Sequence, residues 1–219
     1  MILIKKSREP KSLTEYKRQK HISYDGYPHK DELRELLLKD QGYLCAYCMR
    51  RIENDSSKMK IEHWVPQSKL KTELKKLDFK IMLGVCDGCR GAADKYTTCD
   101  EHRHNAELTV NPMRKDMIDT IYYDREGFIY STDPNINEDL KTTLNLNCEK
   151  AASKLVVNRK KVYEQCMQRL IRMQRQGMWK ENMLKRVLEY YTAKQDGKYC
   201  EYAGVAIYLL NKYLNKCRK

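Results

Sequence analysis

A chain of 219 residues, 41% hydrophobic and 33% charged, is long enough to bury its own core, and its composition speaks against a disordered or membrane protein. No apolar run approaches the roughly 20 residues of a bilayer span, and the opening MILIKKSREPKS turns charged too soon for a secretory signal, so a cytoplasmic protein is expected. The net charge of +13 is uneven: residues 151–219 hold 16 Lys and Arg against 5 Asp and Glu, while residues 1–150 hold 27 against 25.

Residues 2–4 suit a short strand, and the polar stretch through Pro10 and YDGYPHK reads as an extended arm. Leu33, Leu36 and Leu37 recur at helical spacing between Asp31 and about Asp40, with Gly42 as the natural stop, so residues 1–41 are an arm and a helix. YLCAYCMRRI turns as a metal knuckle would, and MKIEHWVP reads as a strand closed by Pro66. Residues 70–77 form a connector, and FKIMLGV is a second strand feeding a Cys-rich segment; residues 42–115 make one core.

IDTIYYDREGFIYST carries two aromatic, β-branched runs around Arg125-Glu126-Gly127, the pattern of a hairpin. NINEDLKTTLNL adds a short helix, so residues 116–150 are a hairpin and connector. Beyond Glu149 the pattern is helical. Val162, Cys166, Leu170 and Met173, then Leu184, Leu188 and Tyr191, keep helical spacing, and Gly177 and Asp196-Gly197 divide residues 151–219 into about three helices. Their basic surface would attract phosphate backbones or an acidic partner. Tyr190 and Tyr191 could stack on bases, and Met167, Met173 and Met178 could pack in a core or on partner helices.

Nine cysteines at irregular intervals in a chain without a signal peptide speak for reduced thiols and a metal site. Cys45-x2-Cys48 is followed after 37 residues by Cys86-x2-Cys89, and Cys99 comes ten residues later. Two such pairs close a tetrahedral zinc site, so spacing nominates Cys45, Cys48, Cys86 and Cys89, with Cys99 competing for the last place. Cys148, Cys166, Cys200 and Cys217 read as small buried hydrophobes.

Between the Cys pairs stands Glu62-His63, and directly after Cys99 comes DEHRHN. A strand with Glu-His, a second strand and a Cys-anchored helix with acidic and imidazole groups is the layout of a ββα-metal nuclease. Phosphodiester hydrolysis needs a base to activate water and a divalent ion at the phosphate. His63 is the natural base, because neutral imidazole accepts a proton near pH 7. Glu62, pointing the other way along its strand, and Asp100 can offer hard oxygens to Mg²⁺ or Mn²⁺. Arg103 or Arg90 could neutralise the phosphate.

At these residues the chain resembles the zinc-containing His-Asn-His (HNH) endonucleases, and within them the PtuB nucleases of Septu and retron-associated anti-phage systems. The resemblance runs through EPKSLTEYK, SYDGYPHKDELRELLLKDQGYLCAYCMRRI, KIEHWVPQS, MLGVCDG, TCDEHRHNAELTVNP and LNLN, then VVNRKKV and CEYAGVAIYLLNKYL. It implies an α+β fold: a zinc-stabilised ββα-metal core with an N-terminal arm and a C-terminal helical region. It further implies His63 as general base, Glu62 at the catalytic metal, Asp100 at the third motif position directly after the last zinc Cys, and Cys45, Cys48, Cys86 and Cys99 as zinc ligands, Cys99 being favoured over Cys89.

Three positions depart from the family pattern. Ile81 stands where the middle Asn braces the loop of the base, Cys89 replaces an Asn, and His104 replaces a Gly, which offers His104 or His102 as a further ligand of the catalytic metal. The implied function is a toxic endonuclease working with a PtuA-type ATPase and, in retron assemblies, a reverse transcriptase with its RNA-linked DNA. A catalytically reduced zinc module that binds nucleic acid or scaffolds the complex is the competing expectation, and RNA such as tRNA the competing substrate.

Overall fold

In the computed structural model, which describes residues 1–174, 177 and 179–217, the chain is a mixed α+β protein built on two small antiparallel ribbons. β1 (Met59–His63) pairs with β2 (Met82–Cys86), Met59 opposite Cys86 and His63 opposite Met82. β2 is buried on both faces because helices cover it from two directions. On one side lies α2 (Lys30–Gln41), which buries Leu33, Leu37 and Leu38 and ends at Gly42 with φ of 59°. The Gln41 amide donates to Leu44 O and Gly84 O and accepts from Gly84 N, each at 2.7 Å, so a buried amide ties α2 to β2 and to the knuckle. Gly84 leaves room for it: a Cβ there would meet the Met59 methyl at 2.6 Å.

The segment ahead of α2 is not extended as expected. Pro10 has the fixed φ that opens a helix, and α1 (Lys11–Tyr16) follows, burying Leu13. Residues 2–4 form no strand: Ile4 N donates to Pro112 O at 2.9 Å, but this single bond does not extend into a ladder. The connector contains one helical turn, α3 (Glu73–Lys76), capped by Thr72. The second strand starts later than FKIMLGV suggests, because the Asp78 carboxylate accepts from Lys80 N and curls Phe79–Ile81 into a 3-10 turn.

α4 (Cys99–Arg103) packs on β2, and α5 (Lys115–Ile118) leads to the hairpin of β3 (Ile121–Tyr123) and β4 (Ile129–Ser131). Gly127 turns that hairpin with φ of 91° against the start of α7, where a Cβ would stand 2.2 Å from Val156 O. α6 (Pro134–Glu138) runs into a π-helical turn over Asp139–Thr143. The expected helical third consists of α7 (Leu155–Met173), α8 (Glu181–Thr192) and α9 (Ala203–Cys217).

Two apolar cores result. The larger reaches from Met1 through the knuckle and hairpin to Leu155 and Val205, and the smaller joins Cys166, Leu170, Leu184, Val187 and Leu210. α9 serves both, so packing runs across residue 151. Met167 packs on the smaller core, Met173 is exposed, and Met178 lies outside the described residues. Cys166 is buried, while Cys148, Cys200 and Cys217 are half-buried. No helix among the described residues is long and apolar enough to cross a membrane.

Candidate functional site

The sulfurs of Cys45, Cys48, Cys86 and Cys99 lie within 4.8 Å of one another, and all four residues are buried. Cys48 to Cys86 and Cys86 to Cys99 measure 3.8 Å, and Cys45 to Cys99 measures 4.0 Å. A tetrahedron with metal–sulfur bonds of about 2.3 Å has edges of about 3.8 Å, so the four thiols could hold a structural metal ion such as zinc. The knuckle is shaped by local backbone bonds: Cys45 N donates to Arg50 O at 2.9 Å, Met49 N to Cys45 O at 3.0 Å, and Leu44 bridges Arg51. Cys86 ends β2 and Cys99 opens α4.

Cys89 stays outside this group. Thr98 N donates to Gly88 O at 2.9 Å, and a Cβ on Gly88 would meet Thr98 O at 2.2 Å, so the start of α4 folds back against the end of β2. That closure delivers Cys99 to the cluster and leaves Cys89 half-buried in the intervening loop.

The second group grows from strand alternation. Lys60 and Glu62 share the face of β1 toward α4, where Lys60 Nζ meets Asp100 at 3.2 Å and Glu101 at 2.5 Å, and Glu62 pairs with Arg103. Burial, then the neighbouring Asp100 carboxyl, push Glu62 up to about 9 against the opposing pull of Arg103. Two carboxyls meeting in a largely enclosed place form a donor set suited to a hard divalent cation.

Arg103 is not available to a phosphate. Its side chain is 1% exposed. Besides Glu62, it donates through Nε to Ala106 O at 2.8 Å, through Nη1 to His63 O at 3.1 Å and Tyr47 Oη at 3.3 Å, and through Nη2 to Trp64 O at 2.7 Å. It is a clamp on the loop that leaves β1, a use of arginine's fork of donors that sequence pattern does not display. Arg90 is the exposed cation nearby, 3.6 Å from Glu101.

His63 faces away from α4. Its Nε2 lies 2.6 Å from Lys76 O. A carbonyl only accepts, so Nε2 carries the proton and the lone pair resides on Nδ1. Burial holds the imidazole below its ordinary pKa, which keeps it neutral at pH 7. Nδ1 is buried with no hydrogen-bond partner, and the residue as a whole is 2% exposed. The Tyr24 ring closes over it edge-on, centroids 4.6 Å apart at 81°. Tyr24 N donates to Glu73 Oε2 at 2.9 Å, so the covering segment is anchored on α3. Sequence reasoning missed Tyr24; the signal was a pair of tyrosines in the otherwise polar SYDGYPHK.

Ile81 contributes backbone instead of a side-chain amide: its carbonyl accepts from Trp64 N at 2.8 Å, and Trp64 Nε1 donates to Val110 O at 2.8 Å. With Arg103 holding the carbonyls of His63 and Trp64, the loop is braced from three sides. His102 and His104 do not join Glu62 and Asp100. His102 Nδ1 lies 2.9 Å from Asp94 O, and His104 Nε2 lies 2.9 Å from Asp94 Oδ1 on an exposed surface. Both imidazoles are held by the 94–97 turn rather than by the two carboxyls. Compared with known proteins, the chain matches no family model and no curated protein.

Proposed function

We propose that this chain is a metal-dependent HNH-type endonuclease, the toxic effector of an anti-phage complex with a PtuA-type ATPase. The observation that carries the reading is the orientation of His63: Nε2 is committed to a backbone carbonyl, which leaves Nδ1 as a proton acceptor. In this reading Nδ1 takes the proton from a water whose oxygen attacks phosphorus, and the carbonyl of Lys76 stabilises the imidazolium that forms. Glu62 and Asp100 would hold a divalent ion such as Mg²⁺ or Mn²⁺, which supplies charge neutralisation at the scissile phosphate when bound. Arg103 and Trp64 fix the loop between these groups, and the four cysteines would keep a structural zinc behind it.

His63 Nδ1 is closed to water in this conformation, with the Tyr24 ring edge-on against the imidazole. Cutting therefore requires residues 20–29 to leave the imidazole, a step suited to control by the ATPase or, in a retron assembly, by the reverse transcriptase and its RNA-linked DNA.

The test is cleavage of plasmid DNA and of total cellular RNA by the zinc-loaded chain, with and without its ATPase partner, in Mg²⁺ and Mn²⁺. His63→Ala is the control. Cutting that disappears in His63→Ala supports the reading and identifies DNA, or RNA such as tRNA, as substrate. Absence of cutting from folded, zinc-loaded protein in every arm overturns it in favour of a zinc module that binds nucleic acid or scaffolds the complex. The closed His63 and Ile81 are the observations on that side.

A further inference from the structure

We infer that the groove between the β3–β4 hairpin and α9 is a separate binding site for a single strand of nucleic acid, with tyrosine rings for the bases and lysines for the phosphates. It draws on the nuclease reading only for the class of ligand. The chain has 16 tyrosines against two phenylalanines and two tryptophans, so its aromatic surface is almost wholly tyrosine.

Strand alternation sorts the hairpin into two faces. Ile121, Tyr123 and Ile129 turn into the core, and the cross-strand pair Tyr122 and Tyr130 turns outward, half-exposed, with ring centroids 5.4 Å apart and 25° between planes. Tyr208 of α9 continues this surface, 6.3 Å from Tyr122. Two cavities of about 500 and 370 Å³ adjoin there and share Tyr123, Tyr208 and Lys212. Each is large enough for a small ligand group, since binding pockets begin at about 300 Å³.

α9 was built to face this groove. Tyr208, Asn211, Lys212, Asn215 and Lys216 recur at three- and four-residue spacing on one face, and Leu209, Leu210 and Leu214 are buried on another. Lys212 Nζ stands 6.0 Å from the Tyr208 ring and Lys216 Nζ 5.8 Å from the Tyr213 ring. Neither lysine, nor Arg125 at the hairpin tip, is ion-paired with a carboxylate among the described residues. The two carboxylates that line the cavities are already engaged: Asp119 pairs with Lys115, and Asp124 accepts from Phe128 N at 2.9 Å and Tyr130 Oη at 3.4 Å. Free cations beside half-exposed rings are the combination that binds backbone and base together. Rings can stack only on bases that are not already stacked in a duplex, which selects a single strand. The Asn211 and Asn215 amides add donors and acceptors for base edges.

Fluorescence anisotropy of labelled single-stranded DNA and RNA of about 12 nucleotides, a length within the usual range for such sites, tests this on the full zinc-loaded chain without added Mg²⁺. Tyr122→Leu/Tyr208→Leu should weaken binding by about tenfold or more, and Tyr208→Phe should not. Lys212→Gln/Lys216→Gln should weaken binding and flatten its log–log salt dependence by about 1.4 units, the amount for two contacts to a single strand. Arg172→Gln/Arg186→Gln removes equal charge from exposed positions outside the groove and should change little. Circular dichroism of each variant confirms its fold. Unchanged binding in both groove variants overturns the proposal. So does a duplex that competes as well as the single strand, or lysine variants that lose only the ATPase partner while binding oligonucleotide normally. A chain that binds through these rings but never cuts would remove the nuclease reading alone; His63-dependent cutting with unchanged binding in the groove variants would remove this one alone.

Discussion

Residues 42–103 enclose four thiols, a bonded Glu62–Arg103 pair and a histidine beneath Tyr24, whereas α7, α8 and α9 close over Cys166, Leu170, Leu184, Val187 and Leu210 with most of their cations outward. The buried cation of the helical third, Arg159, sits at its junction, donating to Gly127 O and Leu146 O at 2.7 Å. The two regions are therefore vulnerable to different changes. A buried polar network is worth having only if every member is partnered, so losing one member exposes the cost of all the others. An apolar interface loses stability in proportion to the volume removed and is indifferent to pH.

Loss of one thiol should have the largest effect. Cys86→Ser should release the metal and unfold the knuckle, seen as loss of bound zinc and a collapsed thermal transition, because zinc binding contributes on the order of 10 kcal/mol to small folded sites. Full zinc content with an unchanged transition would contradict the four-thiol centre. Arg103→Met should cost at least about 3 kcal/mol in urea unfolding, since it leaves the Glu62 carboxyl and the carbonyls of His63, Trp64 and Ala106 without their donor, each worth about 1–3 kcal/mol when buried. Arg103→Lys should recover only part, because an ammonium cannot reach so many acceptors.

In the helical third, Leu170→Ala should cost about 2–5 kcal/mol by leaving a cavity between α7 and its neighbours, with zinc content unchanged. Coupled zinc loss would show that the two regions are not separable in this way. A smaller, pH-dependent effect comes from Lys6, whose Nζ donates to Met82 O at 2.9 Å over the Phe79 ring; burial lowers it to about 7 from 10.5. Between those values the unfolded chain holds a proton that the folded chain lacks, so stability rises with pH across this window and levels off above 10.5. The slope is at most about 1.4 kcal/mol per pH unit, and Lys6→Met should flatten it in urea titrations at pH 7 to 10. Smallest is Ile81→Asn: with Arg103 and Trp64 already bracing the loop, stability should move by less than about 1 kcal/mol. A gain in His63-dependent cutting of about tenfold would mean the brace is incomplete.

Much of the architecture was legible because it follows from short-range rules. Leucine spacing and Gly42 located α2, Arg125-Glu126-Gly127 located the hairpin, and Gly177 and Asp196-Gly197 bracketed the last helices. The expectations that failed concern backbone whose hydrogen-bond partner the side-chain pattern does not show. Residues 2–4 have strand-like side chains, yet their backbone found only Pro112. Lys80 in FKIMLGV lost its extended backbone to the Asp78 carboxylate just upstream. In the candidate site, residue types pointed to Glu62, His63 and Asp100, but nothing local indicated that Arg103 would point inward or that His102 and His104 would turn toward Asp94.

Two thiol pairs with a fifth cysteine in reserve, a Glu-His step on a strand and a basic helical third can be read along the chain, because each is a matter of local spacing and composition. Spacing left Cys89 and Cys99 both open, and the fold brings Cys99 to the cluster through the Thr98-to-Gly88 closure that sets α4 onto the end of β2. It also set Tyr24 over His63 and Tyr208 beside Tyr122. Those pairs are separated by 39 and 86 positions in the chain, and at such separations only the packing of whole elements, not the preference of any residue for its neighbours, selects the contact.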